Sequence, residues 1–387
     1  MRTLTIPTFI TAIRIDWTDV HTAMNTESPT RVPFDAGVRL RSFGARNIPA
    51  LLLGIVAAIL CVWLRTPLPW MIGPLVAVAV ANMAGARLAV ATPLRNAGQW
   101  VIGVALGLYF TPVVVQQVAA LAAWIALGVV FAIALGAAGG VLLTRCSGVD
   151  TSTAFFSMAI GGASEMANQA ERHDALVDRV AAAHSLRILM VVVIVPFAFK
   201  FAGVHGLDPY LPGARHVDYG GLLLLALLTS AFAWLIARIG SANPWVIGPM
   251  FATIALTAAS IELSALPQWI VNAGQLLIGC ALGSRFSRGF VHTAPRFMAS
   301  VAAIVLVFLV SAGGFGFVLS ALSGIALPTA LLATSPGGIA EMSLTAKTLQ
   351  LGVPIVTAFH VVRMSAVVLL IGPIWKLVLR WNRRDGE

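Results

Sequence analysis

The chain has 387 residues, of which 59% are hydrophobic and 10% charged, and its mean hydropathy is +0.91. So few charges cannot coat a soluble globule of this size, which excludes a water-soluble enzyme or regulator as the main body and leaves an all-α polytopic membrane protein. A net charge of +10 would suggest nucleic acid in a soluble chain, but here the arginines sit between apolar runs and at the ends, as topology-setting loop charges do.

Residues 1–47 are polar and aperiodic and read as a tail, without the apolar core and small-residue cleavage site of a signal peptide. Apolar runs follow at 48–64 and 70–84, separated by Pro67-Leu68-Pro69, each near the ~20 residues a bilayer core requires. A short glycine-rich run at 97–109 is preceded by Asn96. A run at 113–143 is long enough to span with tilt, and the runs at 151–168 and 179–201 close the first half. After a polar linker at 206–218 the pattern restarts, with runs at 219–236, 245–261, 270–282, 298–322, 328–346 and 353–379, and residues 381–387 form a basic tail. The expected organisation is therefore a first membrane repeat at 48–205 and a second at 219–380. Cys61, Cys146 and Cys280 show neither metal nor redox spacing and are expected to pack as small apolar residues.

The repeat is visible residue by residue. Gly161-Gly162-Ala163-Ser164-Glu165-Met166 is matched 176 positions later by Gly337-Gly338-Ile339-Ala340-Glu341-Met342. The same offset relates His184 to His360, Arg187 to Arg363, Asn96 to Asn272 and Gly98-Gln99 to Gly274-Gln275. The stretches Pro69-Trp70-Met71-Ile72-Gly73-Pro74 and Pro244-Trp245-Val246-Ile247-Gly248-Pro249 match at 175, one residue short of that register. Such a register reports an internal duplication.

Arginine placement decides between orientations. If all six segments of each half crossed, Arg285, Arg288 and Arg296 would fall opposite the basic termini, against the positive-inside tendency. If each motif segment instead enters and returns, each half has about five spanning helices plus one broken or re-entrant helix. The second half is then inverted, and both termini lie on the cytoplasmic side of a bacterial inner membrane. Inverted repeats with broken helices are the build plan of secondary transporters.

The two motifs carry the chemistry. Glycine pairs inside apolar runs mark non-helical backbone, which membrane depth tolerates only where it lines protein or a watery cavity. Glu165 and Glu341 then either cap the helices that start there or project into a cavity as cation- or proton-binding groups. His184 with Arg187, and His360 with Arg363, lie three apart on one helix face. Their expected partners are Glu165 and Glu341. Two readings stay open: structural ion pairs that lock the repeats, or arginines that bind an anionic substrate beside proton-exchanging histidines. Asn96, Gln99, Asn272 and Gln275 either orient a ligand or hydrogen-bond between helices. The Pro-Trp-x-Ile-Gly-Pro pair reads as an interface anchor with helix-breaking punctuation.

The doubled motif, the Asn-x-Gly-Gln segments, and the stretch from Ser335-Pro336-Gly337-Gly338 to Thr345-Ala346 followed by His360-Val361-Val362-Arg363 together resemble the AbrB-duplication family of bacterial inner-membrane proteins. The likeness covers residues 48–380. The first copy has Ala159 and Ile160 where Ser335 and Pro336 stand in the second, so the halves need not contribute equally. Family labels include ammonia monooxygenase and regulator of gene expression. An oxygenase needs clustered histidine or carboxylate ligands, and the seven histidines here are scattered. Neither an enzyme nor any metal or other cofactor is therefore expected. A DNA-binding regulator needs a soluble reading module, which the tail lacks, so no direct nucleic-acid partner is expected. The expected partners are the lipid bilayer and a small, anionic substrate or ion, and the oligomeric state is left open. The expected function is secondary transport of a small organic anion or metabolite, proton-coupled through histidine and glutamate. The alternative is a non-transporting sensor that affects gene expression indirectly.

Overall fold

The computed structural model describes residues 36–204, 206, 210, 212–214, 216–240, 243–289 and 294–384, with side chains described from Arg46 to Val378. The chain divides into a short unit ending at Phe43, of which residues 36–43 are helical, and a large unit from Gly44 that holds everything below. Among the described residues there are fifteen α-helices and no strand.

In the first half these are α1 (Ala36–Trp63), α2 (Pro69–Met83), α3 (Thr92–Gly107), α4 (Pro112–Ala120), α5 (Ala122–Ser147), α6 (Thr151–Met158), α7 (Ala163–Arg172) and α8 (Val177–Phe201). The second half comprises α9 (Tyr219–Arg238), α10 (Pro244–Ala258), α11 (Gln268–Gly283), α12 (Pro295–Ser323), α13 (Leu327–Thr334), α14 (Ile339–Thr348) and α15 (Val353–Arg384). Proline at the first or second position starts α2, α3, α4, α10, α12 and α13, where its missing N–H costs nothing. Glycine ends α5 and α12: Gly148 and Gly324, 176 apart, cap them with φ of 69° and 72°, a left-handed turn that β-substituted residues resist.

Two expectations need correction. The segment read as tail becomes helical at Ala36, well before residue 48, and residues 1–35 lie outside those described. The run at 113–143 is not one helix. It breaks at Leu121 into α4 and α5, and α4 bends 89° away from α3.

Among the described residues six helices are long and apolar enough to cross a membrane: residues 46–63 of α1, then α5, α8, α9, α12 and residues 353–378 of α15. A seventh span results if the bent pair α3–α4 counts as one. Large apolar side chains stand exposed on their outer faces, among them Leu52, Val56, Leu223, Leu227, Val310, Phe317 and Leu369. A soluble monomer does not carry such a surface, whereas lipid covers it at no cost. The 15- and 16-residue helices α2, α3, α10 and α11 are shorter than a ~30 Å hydrocarbon core at 1.5 Å per residue, and they pack together instead.

That packing is reciprocal between the halves. Helix α10 lies along α3 and α11 along α2. A β-carbon on Gly103 would collide with the Val246 carbonyl, and one on Gly279 with the Met71 carbonyl. One turn on, a β-carbon on Gly107 would stand 2.7 Å from the Met250 oxygen, and one on Gly283 2.6 Å from the Leu75 oxygen. Gly98 and Gly274, the same position of the two copies, face each other where α3 crosses α11. Backbone stands on both sides of these contacts and cannot yield as a side chain would. Gly103→Ala and Gly279→Ala are each expected to cost about 1–3 kcal/mol, by similar amounts, as read from the melting temperature in detergent.

Residues near the start of α3 (Arg95, Gln99) share a cavity with residues near the end of α11 (Ile278, Arg285). These two corresponding helices therefore run head to tail past each other. The helix limits of α3, α6, α7 and α8 recur 176 residues later as those of α11, α13, α14 and the start of α15.

Candidate functional site

Each glycine motif sits in a helical hairpin. The Leu176 amide donates to the Thr153 hydroxyl at 2.9 Å, and 176 residues on the Gly352 amide donates to Thr329 at 3.1 Å. A straight helix would place residues 23 apart roughly 35 Å from each other, so each segment folds back on itself. The turns are the breaks between α6 and α7 and between α13 and α14.

A broken helix leaves its last carbonyls without partners. Here the histidine and arginine of the following long helix supply them. His184 Nε2 lies 2.9 Å from the Phe156 carbonyl, and Arg187 donates to the carbonyls of Ala159 (2.7 Å) and Gly161 (3.1 Å). In the second half His360 Nε2 lies 3.0 Å from the Leu332 carbonyl, and Arg363 donates to the carbonyls of Ser335 (2.6 Å) and Gly337. The three-residue spacing is thus a clasp on a helix C-terminus, where a cation also suits the dipole. This corrects the expected ion pairs. Orphaned carbonyls at the break, not Glu165 and Glu341, take the terminal nitrogens of both arginines.

The glutamates occupy the third position of α7 and α14, after caps at Gly162 and Gly338. The Glu341 carboxylate folds back against the Cα of Gly338, where a β-carbon would strike it, and is buried. Glu165 is only partly buried, and its stem lies 3.4 Å from the corresponding point on Gly162. The two copies are therefore unequal in the way Ser335-Pro336 suggested.

Both breaks face one cavity of about 360 Å³. Of the residues singled out from sequence, Asn96, Gln99, Gly161, Gly162, Glu165, Arg187, Gly337, Gly338, Glu341, His360 and Arg363 line it. Four stand back. His184 and Ser335 serve the breaks from behind, with Ser335 Oγ donating to Leu332 at 2.8 Å. Asn272 accepts from Gln268 at 2.9 Å on an exposed face, and Gln275 is buried elsewhere. Asn96, with its amide set to satisfy both neighbours, accepts from Trp245 Nε1 at 3.0 Å and donates to the Thr92 carbonyl at 3.3 Å.

Repeat reasoning missed Arg95, Arg285 and Trp245, all on the cavity wall. Neither arginine recurs. The positions 176 away are Val271 and Tyr109, so a search for doubled residues passes over them. Proximity gives a signal instead, since Arg95 adjoins Asn96 and Arg285 follows α11 by two residues. The second Pro-Trp-x-Ile-Gly-Pro copy, read as an interface anchor, contributes Pro244, Trp245 and Val246 to the wall.

Arg95, Ala163, Ser164 and Arg285 also line a wider cavity of about 660 Å³, which includes Ala167, Ala182 and Ser185 and reaches the exposed residues Asp178, Ala181 and Ser287. It is a vestibule to the inner cavity. At the positions 176 removed the chain is shut: Val271, Ser343, Thr357, Ala358 and Val361 are all buried, and Thr357 Oγ1 donates to Ser343 Oγ at 2.9 Å. Alanines 181 and 167 hold those two places on the open side.

Among the described residues no group of three histidine, cysteine or carboxylate side chains has the geometry to hold a metal ion. The thiols are unpaired: Cys280 is buried as expected, but Cys146 is exposed and Cys61 only partly covered.

A family model described as "Transition state regulatory protein AbrB" matches residues 70–379. A Bacillus subtilis (strain 168) protein named "Uncharacterized protein YhjN" is 27% identical over 351 residues, covering 82% of this chain and 90% of that protein. An Escherichia coli (strain K12) protein named "Putative regulator AbrB" is 25% identical over 314 residues, covering 79% of this chain and 88% of its own length.

Proposed function

Because this chain belongs to the AbrB family, with a match spanning most of its length, and because its two broken helices meet at one arginine-lined cavity, we propose that it is a secondary transporter of a small organic anion in a bacterial inner membrane. The observation that carries the reading is the convergence of both glycine breaks on the 360 Å³ cavity. Irregular backbone inside an apolar bundle needs a polar cavity to face, and two helix starts aimed at it favour negative charge.

The head-to-tail passage of α3 and α11 supports inverted halves, since corresponding helices crossing near a twofold axis run antiparallel only when that axis lies across them. In that arrangement the open vestibule and its buried counterpart belong to opposite membrane faces. Exchanging the conformations of the two halves then closes one and opens the other around a fixed site. The cytoplasmic placement of the termini and of the Arg285 side follows from the positive-inside tendency.

Proteoliposomes carrying the purified protein test the reading against a panel of small carboxylates, phosphate and sulfate. The expected result is saturable, counterflow-competent uptake of at least one anion, abolished by Glu341→Gln or Arg285→Gln in protein that still melts cooperatively. Saturable binding without flux for every anion would overturn it in favour of a membrane receptor.

A further inference from the structure

The charges around the inner cavity do not balance. Arg95, Arg187, Arg285 and Arg363 face it together with only Glu165 and Glu341, an excess of two positive charges among the described lining residues. Arg187 and Arg363 lie within electrostatic reach of each other, as do Arg95 and Arg285, while Glu341 is reached by Arg285. An uncompensated pair of charges inside an apolar bundle is costly, and a ligand of opposite charge relieves that cost.

The four guanidiniums are not equally free. Arg187 and Arg363, 4% and 7% exposed, each commit one N–H of both terminal nitrogens to the carbonyls of the breaks and keep three of their five N–H donors, Nε among them. Both Nε atoms are buried and unpartnered, as is His360 Nδ1. Arg95 and Arg285 have no carboxylate or carbonyl bonded to their guanidiniums among the described residues, and Arg95 Nε is likewise unpartnered. Those two also line the vestibule, so a ligand passing inward meets them first. The cavity, about 360 Å³, lies in the range of small-molecule sites, and an excess of two positive charges calls for a ligand that carries two negative ones.

Resting on the transport reading above, we propose that the cavity takes a small dicarboxylate. One carboxylate is gripped by Arg95 and Arg285 at the vestibule end, and the other lies deeper, beside Arg363 and the break before α14. The doubled arginines then hold the protein in shape, and the pair present once chooses the charge of the ligand. A guanidinium fits a carboxylate in a bidentate way that an ammonium cannot reproduce.

The test uses the full chain in detergent at constant ionic strength, with thermal shift and calorimetric titration of acetate, succinate and inorganic phosphate. Succinate is expected to saturate and stabilise the wild type, with acetate and phosphate at least tenfold weaker. Arg95→Gln and Arg285→Gln are each expected to weaken succinate about tenfold or more without lowering the ligand-free melting temperature. Arg285→Lys, which keeps the charge and tolerates the fold, should recover only part of the affinity. Acetate or phosphate binding as tightly as succinate, or undiminished succinate affinity in Arg285→Gln, would overturn the dicarboxylate assignment while leaving anion transport to stand on flux. Absence of binding by every anion, with absence of flux across the panel, would overturn both.

Discussion

Arg363→Gln is expected to lower the stability of the fold by about 3–5 kcal/mol, and adding Glu341→Gln is expected not to restore it. Arg363 donates to the Ser335 and Gly337 carbonyls in a fully buried setting, and each bond from a charged donor contributes about 1.5–3 kcal/mol. Glutamine reaches at most one of them. The carbonyl left behind loses a charged donor that lipid cannot replace, and removing the Glu341 charge leaves that deficit untouched. An ion pair would behave oppositely, because the double variant would leave no lone charge. Arg187→Gln should behave like Arg363→Gln with a smaller loss, since Gly161 and Gly162 are only partly buried. Melting temperatures of the two single variants and the double variant in detergent decide the matter, and recovery in the double variant would restore the ion-pair reading.

The lengths and limits of most helices were legible because apolar runs in a membrane chain are bounded by proline, glycine and arginine, and those residues act locally. The expected start at residue 179 against the observed Val177, and Pro328 against Leu327, show how close such punctuation comes. Leu121 carried no such mark. The break there lies between two apolar stretches with neither proline nor glycine to mark it, unlike the 89° bend before it, which falls between Gly107 and Pro112. The doubled motifs were legible as helix breaks, and eleven of the fifteen residues chosen from sequence line one cavity. Their roles were misassigned, because charge complementarity pairs arginine with the nearest glutamate in sequence, whereas the deciding demand is the backbone's own unpaired carbonyls. Arg95 and Arg285 were hidden by the repeat itself, since their counterparts are Val271 and Tyr109. An asymmetric ligand in a pseudo-symmetric frame needs residues of that kind.

If two related halves open the same site alternately to opposite faces of the membrane, residues paired by the repeat must be reached from different faces. Ala182 and Ala358 stand 176 apart, the first on the open vestibule wall and the second buried at 8% exposure in the shut one. The direct measurement is labelling of Ala182→Cys and Ala358→Cys, in a background with Cys61, Cys146 and Cys280 replaced, by a membrane-impermeant maleimide applied from either side of oriented vesicles. The account predicts that the first reacts only from the face that carries Arg285, and the second only from the opposite face. A ligand that draws the population toward one state should slow one reaction as it speeds the other. Reaction of both positions from the same face, or an Ala358→Cys that never reacts while the protein transports, would contradict it.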